Sequence, residues 1–391
     1  MAWGLKGKYA IVGVGQSPIG KLPDSGALSL LILAVKNAVE DAGLSRGDID
    51  GLITRGPDDV YCHHQRIGQL LGLDIAFSTT LDNGGASQCL AVALACLAIE
   101  SGMCQTVVCG YGRNSWSRIR SHEAQMRVAL VPDNQRWTEF GPEFGYFGAA
   151  ATHALSARRH MHRYGTTREQ LGSVAVAFRQ HAARNPAAQT REPLTLDQYL
   201  EARLIVEPFG LYDCSLVTDG AGAVVVTSAE RARDLRRPPA YILAAATANN
   251  LRGWTHADHM IQTAAQRSAH SAYDYAGLGP PDVDTAQLYD CFTHTVLLQL
   301  EDYGFCSKGE GGAFAEAGNL SLDGALPTNT SGGQLSEGHV EGMLQIIEAV
   351  RQLRHEYPVQ RQVNGAEVAL VSGHGGNTVC HSTLILGRSS K

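Results

Sequence analysis

Two stretches of this chain match at one fixed offset, and that repetition limits the folds open to it. Ala42-Gly43-Leu44 followed by Asp48-Ile49-Asp50 recurs as Ala276-Gly277-Leu278 followed by Asp282-Val283-Asp284. Further on, Gly84-Gly85 ahead of an apolar helical run and Val107-Val108 in a strand parallel Gly332-Gly333 and Ala369-Leu370-Val371. Repetition at half-chain scale implies two similar halves, not a solenoid. Strands and helices alternate within each, so mainly parallel, helix-covered sheets are expected. The halves divide at 1–235 and 236–391.

The local pattern places the elements. Tyr9 to Gly15 is a short buried strand closed by glycines. Ser29 to Ala42 has helical apolar spacing and stops at Gly43. Ile49 to Ile53 forms the next strand. A helix from Ala86 to Glu100 is almost wholly apolar, so burial on all sides is expected. Thr106 to Gly110 and Asp219 to Val226 read as core strands. Between them, 113–207 interrupts the repeat: an irregular stretch from Arg113 to Phe147, then helices over Tyr146–Tyr164 and Thr167–Arg184. An insertion of this size after a core strand caps a site or makes a subunit contact. Trp116, Trp137, Phe140 and Phe147 could line a ligand, pack as a lid or face a second subunit.

With 391 residues, 44% of them hydrophobic, the chain can bury a large core. Its net charge of -6 comes from interspersed charges, and no basic run points to nucleic acid. No apolar run reaches membrane-span length, and the first residues lack a signal-peptide core. Nine cysteines without CxxC pairs fit reduced thiols in a cytoplasm. Tyr61-Cys62-His63-His64 has ligand-type residues but no second half-site, so no metal is expected. Gly13-Val14-Gly15 lacks the third glycine of a dinucleotide fingerprint.

Several ordered stretches carry a resemblance: Asn83-Gly84-Gly85-Ala86-Ser87-Gln88-Cys89, Glu207 to Cys214, Tyr289-Asp290-Cys291-Phe292-Thr293, Gly304 to Glu310, Asn329-Thr330-Ser331-Gly332-Gly333, Gly338-His339-Val340-Glu341-Gly342 and Ala349 to Arg354. Together they resemble the thiolase superfamily over nearly the whole chain. Within it they are similar to the sterol-carrier-protein-X and lipid-transfer-protein branch, close to its steroid side-chain retro-aldolases. The resemblance implies a duplicated five-layer αβαβα fold with an inserted loop and helical region. It also implies a homodimer, a CoA thioester substrate with no separate bound cofactor, and in some members a small OB-fold, zinc-ribbon subunit.

The family's nucleophile is a cysteine at the start of the buried helix, where the macrodipole and free N–H groups favour a thiolate. Counting back from Ser101-Gly102 puts that position on Gly85, which can do no covalent chemistry. Cys89 lies four residues on, about 6 Å deeper along the axis. It is either a small core residue or a nucleophile shifted by one turn. His339 fits the GHxxG histidine, which binds the thioester oxygen or activates the nucleophile. Tyr289 stands where thiolases have an asparagine, as in the aldolases, and can donate or accept a proton. The same aldolases have tyrosine where this chain has His339. His374, in Ser372-Gly373-His374-Gly375-Gly376, falls near the family's second cysteine as a catalytic or oxyanion-supporting group. Gly85, Gly333, Gly375 and Gly376 are the backbone positions expected to approach the CoA ligand.

Retro-Claisen cleavage needs a nucleophile; retro-aldol cleavage of a 3-hydroxyacyl-CoA needs only a base, donors for the enolate and a proton for carbon. The expected activity is therefore an aldolase-type C–C lyase using Tyr289, His339 and His374. A thiolase or acyltransferase using Cys89 would instead run through an acyl-enzyme. A scaffold subunit that binds acyl-CoA would be indifferent to loss of Tyr289 or His339.

Overall fold

In the computed structural model, residues 4–56, 60–118, 148–250, 260–376 and 378–391 are described. Trp137, Phe140, Phe147 and most of the expected irregular stretch lie outside them; Trp116 is half exposed. The strands are β1 (Tyr9–Gln16), β2 (Gly51–Arg55), β3 (Phe77–Thr80), β4 (Thr106–Asn114), β5 (Leu204–Val206), β6 (Phe209–Gly210), β7 (Asp219–Ser228), β8 (Ala240–Asn249), β9 (Thr285–Gln287), β10 (Val368–Gly375) and β11 (Cys380–Gly387). The main helices are α1 (Ala27–Asp41), α2 (His63–Leu71), α3 (Ser87–Glu100), α4 (Gly148–Tyr164), α5 (Arg168–Arg184), α6 (Ala265–Ala276), α7 (Thr293–Asp302) and α8 (Met343–Leu353).

Nine strands form one ladder among the described residues, β3-β2-β4-β7-β1-β8-β11-β10-β9, with β5 and β6 paired separately. The order is nearly a palindrome about β1 and β8, which join through Ala10 with Tyr241 and Ile11 with Ala240. The expected mainly parallel sheets are a mixture. β2 runs parallel to β3 and β4, and β9 parallel to β10, but β7, β1, β8 and β11 pair antiparallel with their neighbours. β10 and β11 are joined by only a few residues, and so short a link can connect only antiparallel strands.

Five layers follow from the contacts. α1 and α2 cover the outer face of the first half-sheet, α3 and α8 sit between the half-sheets, and α6 covers the outer face of the second with α7 beside it. α3 touches strands of both halves, and Val92, Ala95 and Cys96 are fully buried. It is not buried on all sides: Leu97 remains 47% exposed. One flank of this central helix reaches the surface beside Met103, 56% exposed.

The repeated triplets are one building device used twice. Gly43 and Gly277 end α1 and α6 in the left-handed region, at φ 71° and 65°. Leu44 N–H then returns to Val39 O, and Leu278 N–H to Tyr273 O. Asp48 accepts from Ser45 N–H, and Asp282 from Gly279 N–H. Asp50 takes the N–H groups of Gln105 and Thr106 where β4 begins, and Asp284 those of Glu367 and Val368 where β10 begins. The insertion then lays α5 against α7, entered through a Thr167–Gln170 capping box.

Candidate active site

The loop after β9 is pinned before its side chains are used. Asn329 brackets Leu288 on both backbone groups, accepting at 2.6 Å and donating at 2.8 Å. Tyr289 N–H donates to Ser372 Oγ at 2.9 Å, and its carbonyl accepts from Gln299 Nε2 at 2.8 Å. Asp290 turns inward to accept from Gln334 N–H, Leu335 N–H and Gln345 Nε2. Burial raises its carboxyl to about 7 against those hydrogen bonds. Backbone held on three sides fixes where the Tyr289 ring goes.

That ring goes to Gly85. A Cβ added at Gly85 would lie 2.1 Å from Tyr289 Cζ and 2.3 Å from its hydroxyl oxygen. The aromatic ring thus fills the space a nucleophilic side chain would need. Three of the four glycines expected to approach ligand owe their identity to protein atoms. Gly85 makes room for Tyr289, Gly333 for the Asp290 carboxylate, and Gly375 for the Asn83 carbonyl. Gly376 adopts φ 58°, a turn conformation that favours glycine.

His339 stands opposite, its Nε2 3.3 Å from the Tyr289 hydroxyl with the rings edge to face. It does not open a helix as its sequence suggests. The segment after Gly333 forms only the short helix Gly333–Ser336, and α8 begins beyond left-handed Gly342. His339 therefore sits in a loop, where Thr218 Oγ1 accepts its backbone N–H at 2.9 Å and Ser215 Oγ meets its Nδ1 at 3.2 Å. Burial first, then Arg113 and Arg55, push its imidazole well below the usual range, so it is neutral. Glu341, at φ 43°, ties this loop to the other half through Arg55 at 3.1 Å and Tyr111 at 3.0 Å.

His374 lies parallel to the Tyr289 ring, 6° between planes and 5.8 Å between centroids. Its Nε2 accepts the Thr378 N–H at 3.1 Å, so the proton of the neutral ring is on Nδ1. Burial lowers it to about 4. Tyr289 is pushed far above its ordinary value, by burial first, and remains a protonated phenol. His381 packs behind His374 and bonds Tyr303.

Tyr289, His339 and His374 thus come together with Gly85. Cys89 faces elsewhere: it is 2% exposed within the inter-sheet core, its Sγ 4.0 Å from Val371 O, and burial alone drives its thiol far up. His63 and His64 each bond a threonine hydroxyl, Thr54 and Thr80. Sequence reasoning missed Ser215, Thr218 and Gln299, which aim the site residues but belong to no catalytic pattern. It also missed His153, which α4 carries to 5.4 Å from His374 between ring centroids. One of three histidines in a mixed helix, it gives no signal of its own.

This fold and this constellation, a buried helix opening on one half of the sheet facing a histidine-bearing loop on the other, define a thiolase-type enzyme scaffold. Residues 9–230 match the family model for the thiolase N-terminal domain, and 246–388 match that described as thiolase C-terminal domain-like. The chain belongs to the thiolase family. It is 38% identical to a steroid side-chain-cleaving aldolase of Thermomonospora curvata, covering 98% of each chain. It is also 38% identical to 17-hydroxy-3-oxo-4-pregnene-20-carboxyl-CoA lyase of Mycobacterium tuberculosis, over 98% of this chain and 100% of that one. Among solved structures, one described as Ltp2-ChsH2(DUF35) aldolase superposes with a TM-score of 0.88 at 36% identity, over 99% of both chains.

Proposed function

We propose that the protein is a C–C lyase that cleaves a 3-hydroxyacyl-CoA by a retro-aldol reaction into an acyl-CoA and a ketone or aldehyde. The observation that carries this reading is the Tyr289 ring standing where position 85 would need a nucleophile. His339, with Nδ1 accepting from Ser215, presents Nε2–H both to the Tyr289 oxygen and to a thioester oxygen nearby. When the C–C bond breaks, its electron pair becomes an enolate, and a positioned N–H stabilises the new charge in a site shielded from water. Tyr289, a protonated phenol hydrogen-bonded through its oxygen, then donates its hydrogen to the α-carbon. His374 contributes a neutral Nδ1–H donor on the other face of the phenol.

The two 38% relatives and their names support a steroid side-chain CoA thioester with a hydroxyl on the β-carbon. The solved neighbour's name, pairing Ltp2 with ChsH2(DUF35), supports a partner subunit, and the family resemblance implies one of OB-fold, zinc-ribbon type. The edge position of β3 and the exposed Leu97 and Met103 support a homodimer. CoA enters as part of the substrate, with no separate cofactor. A cytoplasmic setting fits nine free thiols, and no described helix is long and apolar enough to cross a membrane.

The test offers 17-hydroxy-3-oxo-4-pregnene-20-carboxyl-CoA to the chain, alone and with a candidate partner subunit, and follows release of the ketone and the shortened acyl-CoA. Intact-protein mass spectrometry runs alongside. Ketone release with unmodified Cys89 is expected. An acyl adduct on Cys89, formed from a 3-ketoacyl-CoA and blocked by iodoacetamide, would replace this reading with thiolase chemistry.

A further inference from the structure

The retro-aldol reading leaves one job unfilled, removal of the hydroxyl proton. Tyr289 is already protonated, and His339 is engaged by Tyr289 and Ser215. His374 has no free lone pair, since Thr378 N–H occupies Nε2 and the proton sits on Nδ1. None of the three can accept a proton without first giving up a partner.

A fourth group lies beside them. The insertion brings His153 on α4 against the second half, its ring 5.4 Å from His374 and 4.8 Å from Phe292. One ligand-type atom each from His153, His374 and Cys291 falls within 4.8 Å of the others. His153 is 2% exposed and His374 3%, and Nδ1 of each is buried without a hydrogen-bond partner among the described residues. An unpartnered buried polar atom costs about 1–3 kcal/mol, so one on each of two neighbouring rings points to an occupant. His374 Nδ1–H can only donate to that occupant. His153 Nδ1, with no partner among the described residues, offers a lone pair when the ring's proton is on Nε2. A hydroxyl, which accepts from one and donates to the other, satisfies both.

We infer that this pair of imidazoles is the seat of the substrate's 3-hydroxyl and that His153 is the catalytic base. The inference rests on the retro-aldol reading. His153 Nδ1 takes the hydroxyl proton as the oxygen's electrons form the new C=O. The bond from the β-carbon to the α-carbon breaks, and its electron pair goes to the enolate. His374 Nδ1–H bonds the same oxygen throughout, and the proton on His153 passes to solvent as Tyr289 is reprotonated. Electrons balance with no external oxidant or metal. Burial and the neighbouring His374 hold His153 neutral, as a base must be.

The experiment compares wild type, His153→Ala and His153→Gln as the full chain with any partner it needs. Two rates are read: cleavage of the 3-hydroxyacyl-CoA, and deuterium exchange into the α-carbon of the product acyl-CoA in D2O. Exchange uses only the enolate side of the site. Both variants are expected to lose about 10²–10⁴-fold in cleavage while keeping exchange within about 3-fold of wild type. Cleavage near wild type in either variant overturns the inference alone. Loss of exchange together with cleavage in both variants reduces His153 to a structural role and overturns it too. A wild type that cleaves no 3-hydroxyacyl-CoA sinks the retro-aldol reading and the inference together. One zinc per chain in the purified protein, lost in Cys291→Ser, makes the cluster a metal site and overturns the hydroxyl assignment.

Discussion

The two halves of this chain are built alike at one end of the sheet and differently at the other. Where an outer helix hands over to a strand, Asp50 and Asp284 make the same bonds to the same backbone positions. Where the two glycine-bracketed openings meet, the symmetry is gone. The first half contributes Gly85, which is only space, and the second contributes His339, a buried imidazole facing the Tyr289 hydroxyl. Structural needs are the same in both halves, so the splice stays the same. A reaction centre needs unlike groups facing one another, so the openings diverge.

The sharpest way to break the comparison is at the diverged end. Tyr289→Phe keeps the ring that fills the space at Gly85 and removes only the proton. Cleavage should fall about 10²–10⁴-fold, with α-carbon exchange lost as well and the melting temperature nearly unchanged. Gly85→Ala attacks the same contact from the other side. Its Cβ overlaps the phenol ring, which has fixed backbone behind it, so the variant should lose about 1–3 kcal/mol of stability along with most of its cleavage. An active, stable Gly85→Ala enzyme would mean the ring moves freely and the space has no role.

His374 gives a pH signature. Its folded value of about 4 lies below that of the unfolded chain, so the unfolded state takes up the proton first. Its stabilising contribution is complete above about pH 6.5 and is lost as pH falls toward 4, on the order of 3 kcal/mol in all. Asp290, raised to about 7, acts in the opposite sense: it favours the fold at low pH and loses that effect as pH rises. The difference between wild type and His374→Gln isolates the histidine. Their melting temperatures should converge as pH drops from 6.5 to 4.

At the matched end the prediction is equality. Asp50→Ala and Asp284→Ala should each cost about 1.5–3 kcal/mol by thermal melting, through lost charge-assisted hydrogen bonds, and leave kcat within about 2-fold. Unequal losses would show that one splice bears more of the fold than its twin.

Much of the fold was legible because its signals are local. Gly43 and Gly277 are glycines for the left-handed turns they occupy, and the aspartates after them sit at the spacing the splice requires. The antiparallel members of the sheet were not legible, since strand direction depends on partners far away in sequence. α3 looked fully buried because its composition is apolar, but Leu97 faces outward all the same. In the site, Tyr289, His339 and His374 stood out because glycines or family motifs flank them. Their association with Gly85 could be inferred, but the ring filling that position could not. His153 comes from the insertion, outside the repeat, and only tertiary packing reveals it.

The contact between Gly85 and Tyr289 also fixes the order of any passage between the two chemistries of this scaffold. A cysteine installed at position 85 while the tyrosine stands would collide with the ring and find no room for an acyl group. An asparagine installed at 289 while the glycine stands would leave a hole and nothing to attack with. Each intermediate is inactive in both reactions, but only the first is also strained. The tyrosine must shrink before the glycine can grow, so any passage between the thiolase and aldolase arrangements, in either direction, runs through the unstrained pairing of glycine with asparagine.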